Sequence, residues 1–300
     1  MKILSIENLK KIYNNGKIAL HDISLQVEKG QFLALLGPNG AGKSSLINIL
    51  GDCVVKTSGL ITLDGFDIDK DKLDFKRNIG IVPQDLNFDP FFTPFEVLGF
   101  QQGLYGIKKN TQTITDLLVQ LGLKEQIHYP ARALSGGMKR RLLIAKALIH
   151  NPQVIILDEP TAGVDIELRQ HIWDFLKKLN SQGKTIILTT HYLEEAQYLC
   201  DKVAIINGGK LIANENKKDL IDRVGSKSIE LVLSNSNNDN LKLSYKYMNL
   251  NENTISISYN KDEDIGKIMQ EVLSNNITIS SMNIKQASLE EVFLLLTKNK

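Results

Sequence analysis

Gly37-Pro38-Asn39-Gly40-Ala41-Gly42-Lys43-Ser44 decides the fold of this chain. The loop follows an apolar run at 32–36 and opens a helix-like run at 45–50. A strand, a glycine-rich turn and a helix in that order aim backbone N–H groups and a helix N-terminus at one spot, where their partial positive charge suits a polyanion. Gly37, Gly40 and Gly42 carry no Cβ to block its approach, and Asn39, Ala41 and Ser45 complete the cradle. Lys43 can reach the β- and γ-phosphates of a nucleotide, and the Ser44 hydroxyl is placed to ligate the Mg²⁺ that rides on them. A flexible surface turn would need neither the strand before it nor the helix after it.

Outward from the loop, 300 residues allow one large α/β domain and a small one. At 42% hydrophobic and 23% charged the chain is globular, and its net charge of +2 gives no overall field for nucleic acid or anionic lipid. No nucleic-acid partner is expected. No apolar run approaches the ~18–20 residues of a membrane span. Residues 1–9 alternate like a strand and include Glu7, unlike a signal peptide. Cys53 and Cys200 belong to no C-x-x-C pair and read as reduced cytosolic thiols.

Strands are expected at 3–9 and 19–27 around the turn Asn14-Asn15-Gly16, a hairpin over 58–68 and a strand at 79–82 ending at Pro83-Gln84. Tyr13 lies on the turn side of this sheet, either as a packed hairpin aromatic or as a platform for an adenine. Residues 93–105 and 111–121 have helical periodicity, and about 88–150 reads as a helical insertion in the α/β core.

A second stretch, Leu134-Ser135-Gly136-Gly137-Met138, precedes a helix expected at 139–150. A serine hydroxyl and small-residue N–H groups at a helix start again suit phosphate oxygens. Asn151-Pro152 stops that helix, and the continuous apolar run at 154–157 reads as a buried parallel strand ending in Asp158-Glu159. Carboxylates at the carboxyl end of a central strand occupy the place where nucleotide-binding sheets keep their chemistry. Asp158 would hold Mg²⁺, and Glu159 would orient and deprotonate an attacking water. The loop 161–165, a helix at 166–180 and a strand at 185–189 follow, and His191 ends that strand, beside the carboxylate strand. His21, His128, His150 and His171 read as surface or core residues.

Together these motifs resemble the nucleotide-binding subunit of ABC transporters over residues 1 to about 222. The segment Gly37 to Ser44 looks like the Walker A loop, Gln84 the Q-loop, Leu134 to Met138 the signature, the strand to Glu159 the Walker B, Ala162 to Asp165 the D-loop and His191 the switch histidine. Met138 stands where that family usually has Gln. The resemblance implies an α/β fold: a RecA-like P-loop NTPase core with an antiparallel β-subdomain and a helical subdomain. It implies ATP and Mg²⁺ as cofactors, with Ser44, Gln84 and Asp158 around the metal. It also implies a head-to-tail homodimer, in which Ser135, Gly136, Gly137 and Asp165 of one subunit meet the ATP on the other. Glu159, His191, Gln84 and Lys43 would carry hydrolysis.

Residues 136–141, 162–165 and 287–293 look like the ATPases of type-two bacterial exporters, which work with a separate integral-membrane permease from the cytoplasmic face of the membrane. The tail, 223–300, is expected to be a small α+β accessory domain, with strands at 229–233, 254–259 and 277–284, helices at 262–273 and 289–297 and a polar mobile loop at 234–240. It either stabilises a dimer or packs on the core. The rival readings are a soluble ABC ATPase not coupled to transport, for which the coiled-coil insertion and the second P-loop are missing, and a non-hydrolysing clamp, which retained Glu159 and His191 argue against. Phe88, Phe91, Phe92 and Phe95 crowd the segment after Gln84. They are either the core of the helical insertion or an aromatic anchor for a permease helix, and the neighbours Phe91 and Phe92 cannot both face one core.

Overall fold

A computed structural model describes residues 1–86, 88–225, 227–234, 243–259, 263–275, 278–285 and 287–298. They form two compact units, Met1–Asn216 and Lys217–Lys300. The division falls at the start of the helix Lys217–Val224, whereas the sequence pattern places the boundary inside that helix, at 222. Charged residues at both ends of that segment hide its single fully buried anchor, Leu220, from a periodicity argument.

The first unit holds two sheets. Strands β1 (Lys2–Ile12) and β2 (Ile18–Glu28) pair antiparallel around the 13–16 turn, longer than the apolar pattern predicts because their polar ends continue the ladder. With β4 (Ser58–Leu63) and β5 (Phe66–Asp67) they form a four-stranded sheet in the order β2-β1-β4-β5. The central sheet runs β10-β9-β3-β8-β7-β6, from β3 (Phe32–Leu36), β6 (Ile79–Val82), β7 (Val154–Asp158), β8 (Thr185–Thr189), β9 (Lys202–Asn207) and β10 (Lys210–Asn216). From β9 to β6 its pairs are parallel, and β10 adds an antiparallel edge. Every residue of β3 and β8 is buried, as strands covered on both faces require.

Helix α1 (Lys43–Leu50) leaves the tip of β3, and α2 (Lys72–Asn78) leads into β6. Between β6 and β7 stand α3 (Pro94–Leu104), α4 (Thr111–Gln120) and α5 (Gly136–Leu148), the helical insertion. Thr93 caps α3 in a reciprocal box with Glu96, with Pro94 in its first turn, so the proline begins the helix. Helix α5 starts three residues before the expected 139, because Ser135 accepts a bond from the Met138 N–H and draws both glycines into the first turn. Helices α6 (Ile166–Ser181) and α7 (Leu193–Leu199) flank β8 in sequence.

The second unit opens with α8 (Lys217–Val224). Its antiparallel sheet has the order β12-β13-β11-β14, from β11 (Lys227–Leu233), β12 (Tyr247–Asn251), β13 (Thr254–Tyr259) and β14 (Ile279–Lys285). Ile229, Leu231, Ile255 and Ile257 pack on Ile268 and Val272 of α9 (Ile265–Ser274). Helix α10 (Leu289–Lys298) follows. Strand β12 escaped the sequence reading because most of its side chains are exposed. The polar loop expected at 234–240 lies outside the described residues apart from Ser234, as do the expected element ends 262 and 277.

Candidate active site

The strand tips of the central sheet bring the chemistry together. The loop from Gly37 wraps back so that Gly42, with φ +115°, becomes the N-cap of α1 and contributes no side-chain bond to that helix start. A Cβ at Gly42 would stand 2.5 Å from the Ala19 carbonyl oxygen, so only glycine fits there. The uncapped N–H groups of the first turn face a cavity of about 200 Å³. Tyr13, Asn39, Gly40, Ala41, Gly42, Lys43, Ser44, Ser45, Gln84, Asp158 and Glu159 line it, together with Lys17 and Ala19, which the sequence did not single out.

The Lys43 ammonium donates to the carbonyl oxygens of Gly37 and, at 3.1 Å, of Pro38. Burial pushes its pKa down, and the charges of Glu159 and Asp158 push it back up. Tyr13 hydrogen-bonds through its hydroxyl to Ser45 at 3.1 Å, which fixes its ring at the cavity wall. Across the cavity, Asp158 accepts from the Thr189 hydroxyl through one oxygen. The Glu159 N–H donates to Thr189 O at 3.0 Å, and Glu159 itself has the left-handed φ of +50°. A glutamate held in that region marks a strained backbone at the point where the strand turns.

The Glu159 carboxylate collects two partners at one oxygen. Gln84 donates its amide N–H to Oε2 at 3.1 Å, and His191 Nδ1 lies 3.2 Å from the same atom. Sequence neighbours could not have shown this convergence, since the three residues come from different loops. Arg140, which the sequence places in the 136–141 stretch without a site role, is buried on α5 and donates to the carbonyls of Pro83 at 2.8 Å and Gln84 at 3.0 Å. It thereby holds the backbone that presents Gln84. Burial lowers its pKa, while Asp158, Glu159 and Asp85 raise it.

Ser135, Gly136, Gly137 and Asp165 do not line this cavity. Ser135 caps α5, and Asp165 caps α6 by accepting from the Leu168 N–H at 2.8 Å. Gly137 has a packing reason as well, for a Cβ there would lie 2.2 Å from a Leu168 methyl. Of the remaining histidines, His150 is buried and stacks on Tyr105 at 3.8 Å, while His128 leans on Phe95. Cys53 is exposed and Cys200 buried.

A family model described as "ABC transporter" matches residues 20–162. The linearmycin resistance ATP-binding protein LnrL of Bacillus subtilis is 37% identical over 98% of this chain and 98% of its own length. The chain belongs to the ABC transporter family. Another relative, the Nod factor export ATP-binding protein I of Cupriavidus pinatubonensis, is 39% identical over 76% of this chain and 71% of its own. Among solved structures, a dimeric ATP-binding cassette in a post-hydrolysis state with ADP and Pi is similar at TM-score 0.65 and 28% identity, covering 71% of this chain and 98% of that one. The first unit is thus the ATPase of an ABC transporter: a RecA-like core with its antiparallel and helical subdomains, which binds nucleotide and hydrolyses ATP. No described helix is long and apolar enough to cross a membrane.

Proposed function

We propose that this ATPase powers export through a separate integral-membrane permease, working as a head-to-tail homodimer at the cytoplasmic face of the membrane. The relatives' names, one of linearmycin resistance and one of Nod factor export, support an exporter. The observation that carries the chemical reading is the convergence of Gln84 and His191 on Glu159 at the tip of β7. A carboxylate so oriented takes the proton of an attacking water, while His191 steadies the water and the γ-phosphate.

The residues present fit Mg²⁺. The Ser44 hydroxyl, the Gln84 amide oxygen and the Asp158 carboxylate form an all-oxygen set lining one cavity, the donor type a hard cation takes. Held there, the ion would neutralise negative charge on the nucleotide's phosphates. Lys43 exchanges its two carbonyl partners for phosphate oxygens, and the Tyr13 ring offers the adenine a stacking face worth ~1–3 kcal/mol. Ser135, Gly136, Gly137 and Asp165 serve the nucleotide of a second copy, which accounts for two phosphate-type stretches in one chain. The permease docks on the aromatic segment after Gln84, where Phe91 is 71% exposed and Phe92 lies edge-on to Phe100. The second unit is an accessory domain.

Glu159→Gln tests the chemical reading. Phosphate release should fall by ~10²–10⁴-fold, the usual worth of a general base, with ATP affinity retained and an ATP-bound dimer accumulating on gel filtration. Loss of ATP binding along with turnover would overturn it.

A further inference from the structure

Glu195 is fully buried on α7, four residues beyond His191, and has no part in the reaction outlined above. Its Oε1 accepts from the Thr161 hydroxyl at 3.0 Å and from the Trp173 indole N–H at 2.9 Å. Thr161, itself fully buried, stands two residues beyond Glu159 in a turn closed by the bond from the Ala162 N–H to Glu159 O at 3.2 Å. Trp173 belongs to α6, the helix that Asp165 caps. One carboxylate oxygen therefore ties three segments: the turn after Glu159, the helix after the 162–165 loop and the helix after His191.

These ties close a ring. It runs from Glu159 along the chain to Thr161, across to Glu195, back through the start of α7 and Tyr192 to His191, and over the 3.2 Å contact to Glu159. In an open chain the carboxylate and the imidazole would wander independently; in a closed ring neither moves without the other. Stability alone is a poor account of Glu195. Burial pushes its pKa up, against the bonds from Trp173 and Thr161 and the charge of Arg169, and its second oxygen has no hydrogen-bond partner among the described residues. An apolar side chain of similar volume would avoid that desolvation.

We propose that Glu195 is a positioning residue that locks the turn after Glu159 to the helix that follows His191, keeping the two side chains in register for hydrolysis. This rests on the reading of Glu159 as the base.

Four variants of the full chain test it through ATPase kinetics and thermal melting. Thr161→Val cuts the tie to the turn and should lower kcat by about tenfold or more, since small misplacements of reacting groups are costly, with KM for ATP within about twofold. Trp173→Phe removes an equivalent bond on the α6 side, outside the ring, and should leave kcat within about twofold. Glu195→Gln keeps an acceptor oxygen for both donors and should retain most of kcat, whereas Glu195→Leu should fall at least as far as Thr161→Val. Equal kcat losses in Thr161→Val and Trp173→Phe, or Glu195→Gln as damaged as Glu195→Leu, would overturn the proposal and leave a packing role. Should Glu195→Leu fail to fold, the Thr161 and Trp173 pair decides alone. If instead Glu159→Gln hydrolyses ATP at the normal rate, the base assignment falls, a result separate from the contrast among these four.

Discussion

The two glycine-rich helix starts, at Gly42 and at Ser135, look alike in sequence and differ in how their N–H groups are met. At α1 the N-cap glycine offers no side chain, and the start opens into a cavity holding Lys43, Asp158 and Glu159. At α5 the Ser135 oxygen already serves the Met138 N–H at 3.3 Å, and the start lies outside that cavity. The first helix leaves its cap to a ligand. The second can stand alone until another surface brings one.

The largest effect that could break this comparison is at Lys43. Lys43→Ala should weaken nucleotide binding by about 100-fold, since hydrogen bonds to charged groups contribute about 1.5–3 kcal/mol each. Ser135→Arg should leave nucleotide binding to isolated monomers unchanged, as measured by titration with a fluorescent nucleotide. Mixing the two variants at high concentration should restore hydrolysis at one composite site per heterodimer. If Ser135→Arg weakens binding in the monomer, the two helix starts are not separate in function.

A smaller effect sharpens the comparison. Ser135→Ala removes a side-chain cap and should cost about 1 kcal/mol, lowering Tm by about 2–4 °C in a unit of this size. Gly42→Ala must push against the Ala19 carbonyl, so its damage should exceed that of Ser135→Ala in the same melt. The smallest effect lies on the helical insertion. Phe91→Ala should change stability by less than ~0.5 kcal/mol because the ring is mostly exposed, yet weaken pull-down of the permease. Phe92→Ala should cost about 0.5–1.5 kcal/mol through its edge contact with Phe100. A loss of several kcal/mol in both would make the rings core.

Much of the site was legible because phosphate chemistry uses local sequence. The loop 37–44 fixes a strand, a turn and a helix within a dozen residues, and the aliphatic run before Asp158 announces a central strand. The linear pattern could not show what the sheet assembles across the chain. Thr189 meets Asp158 only because β8 pairs with β7, and Arg140 reaches Gln84 only because α5 packs beside β6. Glu195 carries no signal in the linear pattern; its burial follows from the meeting of three segments. In the tail, exposed side chains on β12 removed the alternation by which strands are recognised.

The left-handed backbone at Glu159 limits which replacements this position could survive during divergence. Glycine, asparagine and aspartate tolerate such a conformation best, and none has a carboxylate that reaches as far. Residues of matching length sit there less comfortably, while β-branched ones fit worst of all. Every mutation that eases the main chain therefore shortens or removes the reacting group, so sequence drift at this site meets opposing penalties on both sides. Glutamine escapes that bind by keeping length and shape, which makes a silenced cassette one substitution away from an active one.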